Sequence, residues 1–235
     1  MISKLPDWVG AGAWLLAFVA GMVNVVGFLS FEHQAVTHLT GTTSMLGAAL
    51  AEGRWEAAGH LGMMILAFLT GAGLSGMIIQ DSTLRLGRRY GVALILESVF
   101  LCVAVVLLRR QQVAGTWLAA CACGLQNAMA TTYSGSVIRT THLSGMFTDL
   151  GIFLGHWLRG LAVDGRRLRI SILIITAFLT GGVAGAAAFH RLGYDTLLIP
   201  SAITGLAGTG YGIMRFRRRH SSQADARDDS RSADE

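Results

Sequence analysis

Eight apolar stretches dominate the chain, at 9–29, 37–51, 58–79, 91–108, 113–133, 141–157, 170–189 and 196–214, with little between them but short polar punctuation. A helix crossing a membrane needs about 20 residues, because each rises about 1.5 Å through a hydrocarbon core of about 30 Å. Six of the stretches reach or approach that length, and two, 37–51 and 141–157, fall short. Lipid offers no partner for an exposed peptide group, so runs of this kind must satisfy their backbone internally, as helices do. Composition agrees, with 14% charged residues against about 25% in a soluble domain. A soluble enzyme, a disordered chain and a disulfide scaffold therefore do not suit this sequence. The expected fold is all-α: a polytopic membrane protein.

The net charge of +5 and the pI of about 9.6 need not signal nucleic acid. The arginines cluster between apolar runs, where cytoplasmic anchors sit, so no nucleic-acid partner is expected. Cys102, Cys121 and Cys123 all lie inside apolar runs. Cys-x-Cys without further thiols or a nearby histidine is poor zinc spacing, so they read as buried small hydrophobes. The first stretch lacks the basic flank and prompt cleavage site of a signal peptide and reads as an uncleaved helix. Trp8, Trp55, Tyr90, Tyr133, Trp157, Tyr194 and Tyr211 fall near segment ends, the level preferred by amphipathic rings. Residues 221–235 are polar and charged and read as a disordered cytoplasmic tail.

The chain also repeats itself. Thr37-His38-Leu39-Thr40-Gly41 recurs as Thr141-His142-Leu143-Ser144-Gly145, at an offset of 104. Ala67-Phe68-Leu69-Thr70-Gly71 recurs as Ala177-Phe178-Leu179-Thr180-Gly181, at an offset of 110. A weaker echo links Gly21-Met22-Val23-Asn24 with Gly124-Leu125-Gln126-Asn127, at an offset of 103. Three matches in one order at nearly one offset divide the chain into two repeats, 1–110 and 111–220, each ordered long, short, long, long.

If the short segments are re-entrant, each repeat crosses three times and the second is inverted. If they span, each crosses four times and the repeats run parallel. Basic residues decide between these by a slim margin. With six crossings, Lys4, Arg85, Arg88, Arg89, Arg139, Arg159, Arg166, Arg167, Arg169 and Arg215 through Arg219 share one side, against Arg54, Arg109, Arg110 and Arg191. That favours six long helices plus two short re-entrant or half helices in a two-fold inverted repeat, both termini cytoplasmic.

Few ionisable groups remain at membrane depth, where a charged side chain costs about 2.5–3.5 kcal/mol on insertion scales and usually faces a cavity or partner. His38 and His142 head the two short segments. If these dip in from opposite faces, two helix N-termini meet near the midplane, each with free N–H groups and a partial positive charge. Thr37, Thr40, Thr141 and Ser144 flank the histidines, and Asn24 and Asn127 sit in the preceding long helices. Together with His38 and His142 they form the candidate solute site. Asp149, two helical turns after His142, and Glu97 are candidate coupling groups. The plainer alternatives are Thr37 and Thr141 as N-caps with the histidines on nearby carbonyls, and amides, Gln126 included, as glue between helices. His60, His156 and His190 read as interfacial. Gly151/Gly155, Gly181/Gly185 and Ala72/Gly76 have the spacing of close helix approach, within one chain or in a homo-oligomer. No P-loop, metal-ligand spacing or cofactor motif is present.

Asn24-Val25-Val26-Gly27-Phe28, His38-Leu39-Thr40-Gly41, Gly124-Leu125-Gln126-Asn127, the run from Val137 through Gly145, and Thr148-Asp149-Leu150-Gly151 resemble the YoaK-like family. The resemblance covers roughly residues 10 to 215 and implies a bacterial inner-membrane protein of about this length with no established substrate. Two positions depart from the family pattern: Asn24 stands where Asp is usual, and Thr42 where Asn commonly follows.

The function expected from these residues is not enzymatic. It is transport of a small polar or anionic solute, with or without proton coupling, by alternating access between inverted repeats. The alternative is a channel or facilitator with an aquaporin-like inverted-repeat pore and a Thr/His constriction. Less favoured is a metal-dependent intramembrane enzyme using His38, His142 and Asp149.

Overall fold

The structure is a computed structural model that describes residues 7–31, 33–79, 89–134 and 139–214. The expected tail at 221–235, Arg85, Arg88 and the side chain of Trp8 lie outside the described residues. No strand occurs among those described. The helices are α1 (Asp7–Leu29), α2 (Leu39–Ala51), α3 (Trp55–Ile78), α4 (Arg89–Arg109), α5 (Ala114–Tyr133), α6 (Leu143–Leu158) and α7 (Gly165–Leu192). A 3-10 turn, Gly193–Leu197, then leads into a further helix, α8, at 198–214. Every helix falls within a few residues of an apolar stretch.

Among the described residues four runs are long and apolar enough to cross a membrane: Val9–Leu29, Trp55–Ile78, Arg89–Arg109 and Gly165–Met214. The last is 50 residues long because it joins α7 to α8. The fold-back begins at Gly193, whose φ of 56° no L side chain adopts easily. Leu66 and Leu69 on α3, Leu179 and Val183 on α7 and Leu206 on α8 point outward. Such a girdle would be an aggregation hazard in water, and acyl chains satisfy it. The chain is a helical membrane protein. α5 is less apolar than its neighbours, for it lies among α1, α3 and α4 with Thr116 and Gln126 buried.

Glycines set the helix crossings. A Cβ at Gly21 would collide with the Phe178 carbonyl oxygen, and one at Gly181 with that of Phe18, which fixes α1 against α7. The same happens between α3 and α5, where Gly71 meets the Cys121 carbonyl and Gly124 that of Phe68. These contacts are mates of one another at the sequence offsets: Gly21 with Gly124, Phe178 with Phe68, Gly181 with Gly71, and Phe18 with Cys121. Of the small-residue pairs read in sequence, Gly181 and Gly185 serve this packing, whereas Gly76, Gly151 and Gly155 face open space.

The contacts also give directions. Gly10 lies by Leu173 and Gly185 by Val25, so α1 and α7 run parallel. His60 lies by Trp117 and Gly71 by Leu125, so α3 and α5 run parallel as well. Gly91 approaches Gly208 while Ser98 hydrogen-bonds Ser201 at 3.0 Å, so α4 and α8 are antiparallel.

Both short helices share one design. α2 has 13 residues and α6 has 16, about 20 and 24 Å of rise. Each ends on a glycine of positive φ, Gly53 at 67° and Gly160 at 68°. After α2, Gly53 N–H donates to the Leu50 carbonyl and Arg54 N–H to that of Ala49. After α6, Gly160 N–H donates to Trp157 and Leu161 N–H to His156. These paired bonds are the Schellman closure, which satisfies the last carbonyls and requires a left-handed residue.

Two expectations need correction. Tyr90 and Tyr133 are buried and packed edge to face with centroids 5.6 Å apart, so their rings turn toward each other rather than outward. Cys102 is exposed, with its sulfur 3.0 Å from Ser201 Oγ, while Cys121 and Cys123 are buried as expected. In both cases helix registration turned a face that spacing alone leaves undetermined. His60, near the start of α3 and outside these corrections, is half-buried and accepts a hydrogen bond from Trp117 Nε1 at 3.0 Å.

Candidate functional site

The loop after α1 turns back alongside the helix it has just left. Asn24 Oδ1 accepts from the Thr37 N–H at 3.1 Å and from Thr37 Oγ1 at 2.7 Å. Asn24 precedes the end of α1 by five residues, so Thr37 has re-entered by about 8 Å before α2 begins. Thr37 is thus occupied by Asn24 and caps nothing. The N-cap residues are His38 and His142, and neither caps through its side chain.

Each imidazole instead folds over the first turn of its own helix. A Cβ at Gly145 would strike the His142 ring, and one at Gly41 would sit 3.3 Å from that of His38. This explains the His-Leu-Thr/Ser-Gly spacing: glycine three places on leaves room for the ring. The first N–H groups of both helices, at Leu39, Thr40 and Gly41 and at Leu143, Ser144 and Gly145, have no backbone partner, as helix geometry dictates.

A cavity of about 410 Å³ joins the two helix starts. It is lined by Asn24, Ala35, Thr37, His38, Leu39, Thr40 and Phe68, and by Asn127, Arg139, Thr141, His142, Leu143, Ser144 and Phe178. Each residue of the first set has its mate in the second, at offsets between 103 and 110: Asn24 with Asn127, Ala35 with Arg139, Phe68 with Phe178, and the short-helix residues in order. A larger hollow of about 790 Å³ lies at the start of α3, by Trp55, His60 and Trp117. None of its lining residues is the mate of another.

All eight residues expected at the solute site line this one cavity: Asn24, Thr37, His38, Thr40, Asn127, Thr141, His142 and Ser144. The candidate coupling groups do not. Asp149 is half-buried on α6, outside the lining. Glu97 is wholly buried on α4, and its Oε2 has no hydrogen-bond partner among the described residues. Gln126 turns away from the cavity and donates to the Leu16 carbonyl at 3.0 Å, joining α5 to α1. Among the described residues no group of three or more His, Cys, Asp and Glu is placed to hold a metal.

Six lining residues were not among the expected site residues: Ala35, Leu39, Leu143, Phe68, Phe178 and Arg139. Phe68 and Phe178 belong to the second repeated motif, which marked the repeat without marking a wall. Arg139 counted only as a topogenic charge, yet it is exposed, lines the cavity and makes no hydrogen bond or ion pair among the described residues. Its position two residues before Thr141, matching Ala35 before Thr37, was the available signal.

Beyond the conservative Thr40/Ser144 pair, the halves differ in two further respects. Asn24 Oδ1 is satisfied by Thr37, whereas Asn127 Oδ1 is buried with no hydrogen-bond partner among the described residues. Alanine at 35 is answered by arginine at 139.

A family model described as "Protein of unknown function (DUF1275)" matches residues 12–209 of the chain. No curated protein and no solved structure matches it.

Proposed function

The chain belongs to the DUF1275 family of proteins of unknown function, to which the YoaK-like proteins belong as well, and we propose that it is a secondary transporter of a small polar solute. The solute site is the cavity between α2 and α6, and the two repeats rock around it in alternating access. One observation carries the reading. Every described residue lining the cavity is paired with another lining residue at the repeat offsets, as expected of a site lying on the axis that relates two repeats.

Helix direction supports six crossings and an inverted repeat. If α2 and α6 crossed the membrane, α4 and its counterpart α8 would be parallel. They are antiparallel, and α1/α7 and α3/α5 are each parallel. The same pattern follows from three crossings per repeat with the second repeat upside down. With the arginine distribution, this reading puts both termini on the cytoplasmic side of a bacterial inner membrane. Its surroundings are lipid and its ligand a small solute; no enzymatic step or cofactor enters the proposal.

Glu97 is the better candidate for proton coupling, because a fully buried carboxyl with an oxygen unpartnered among the described residues has somewhere to hold a proton. Asp149 stays a candidate only through motion of α6, since it does not line the cavity. The test is transport by the full chain in proteoliposomes under an imposed proton gradient. Accumulation that collapses when the gradient is removed, and falls at least tenfold in His38→Ala and His142→Ala, supports the carrier. Flux that only equilibrates, indifferent to the gradient, overturns it in favour of a channel.

A further inference from the structure

The charge of the cavity is carried by one side chain. Among its described lining residues there is no aspartate or glutamate, and Arg139 supplies the single formal charge. Arg139 is also where the paired lining breaks most sharply, since its mate is Ala35. The guanidinium has no protein partner among the described residues, so it is free to meet a solute. Nearby, the starts of α2 and α6 present N–H groups that their helices leave unbonded. The remaining wall is apolar: Leu39 and Leu143, Phe68 and Phe178.

We infer that the solute is a small organic monoanion whose carboxylate is held by Arg139, with its carbon body against the two phenylalanines. A planar guanidinium matches a carboxylate in a two-bond fork. Helix N-terminal N–H groups complete the shell around such an anion. One cation and no acid favour one negative charge over two. The short apolar wall favours a carbon body over a bare inorganic ion. This inference rests on the carrier reading and adds the ligand class and Arg139 as the residue that selects it.

Butyrate and its neutral isostere butyramide test the inference by equilibrium binding to the full chain in lipid nanodiscs. Butyrate is expected to bind at least tenfold more tightly than butyramide. Arg139→Gln removes that preference, and Arg139→Lys retains part of it. Arg139 is exposed, so both variants should unfold at the wild-type temperature. Butyramide binding as tightly as butyrate, unchanged by Arg139→Gln, overturns the anion while leaving the carrier reading in place. Nitrate binding as tightly as butyrate overturns the organic class. Ser144→Trp obstructs the cavity at one helix start and separates the two levels: if no solute's binding responds to it, the cavity is not a solute site and both readings fall.

Discussion

Residues 24–51 and their counterparts 127–158 are built from the same parts and differ in what they leave unsatisfied. Both units place an asparagine late in a long helix, lay a histidine over a glycine, and close a short helix on a left-handed glycine. In the first unit the asparagine is spent on Thr37, and the position corresponding to Arg139 is an alanine. In the second, the asparagine oxygen has no partner among the described residues and the arginine lines the cavity. The packing contacts thus recur at the sequence offsets and the cavity chemistry does not. Helix packing tolerates little change at either copy, because a misplaced methyl group pushes two backbones apart. A cavity wall has open space in front of it, so one copy can diverge.

This contrast predicts that scaffold mutations act equally in the two halves and site mutations unequally. The largest effect is expected from Gly21→Ala and Gly124→Ala, each of which drives a methyl into a carbonyl of the facing helix. Both should destabilise by about 1–3 kcal/mol, the usual range for overpacking, and to similar degrees. Gly73→Ala and Gly182→Ala, which meet nothing within 4 Å, should stay near wild type. Unfolding temperatures in detergent check this. A large difference between Gly21→Ala and Gly124→Ala would break the symmetry of the scaffold.

Next comes the ring-over-glycine contact. Gly145→Ala displaces the His142 imidazole, while Gly41→Ala meets that of His38 at 3.3 Å, which a small shift relieves. We expect a clear loss of stability and solute binding in the first and little loss in the second. The double variant Gly145→Ala/His142→Ala should recover stability without recovering binding. Recovery of neither would show that the glycine serves something besides the ring.

The smallest contrast is between the asparagines. Asn24→Ala removes two hydrogen bonds and leaves Thr37 unpaired, at a cost of about 1–3 kcal/mol. Asn127→Ala deletes a buried oxygen that has no partner among the described residues, so it should cost less. Chemical denaturation of the two variants side by side measures the difference. Equal losses would mean that Asn127 has a partner of its own in the membrane.

Much of the architecture was legible in sequence because lipid imposes a simple rule: long apolar runs become helices, and charge marks the ends. The repeated Thr-His-Leu-Thr/Ser-Gly segments located both cavity-facing helix starts for the same reason that glycine is needed there. What could not be read was orientation around each helix axis. Asp149 follows His142 by seven residues and was expected on the same face, but the cavity wall stops at Ser144. Tyr90 and Tyr133 sit at helix ends, as interfacial rings do, but face each other inside the bundle. Arg139 was absorbed into the topology count, because arginines near helix ends ordinarily report sidedness. Only the matching of lining residues showed that this one stands where the other half has alanine.

The account depends most on the two short helices meeting within the membrane. Spin labels at Thr40→Cys and Ser144→Cys, in a chain otherwise free of cysteine and reconstituted in bilayers, report their separation by pulsed electron resonance. Both positions line one cavity of about 410 Å³, so a single short distance, below about 20 Å, is predicted. A separation close to the full hydrocarbon thickness of about 30 Å would put the helix starts at opposite faces and contradict a shared site.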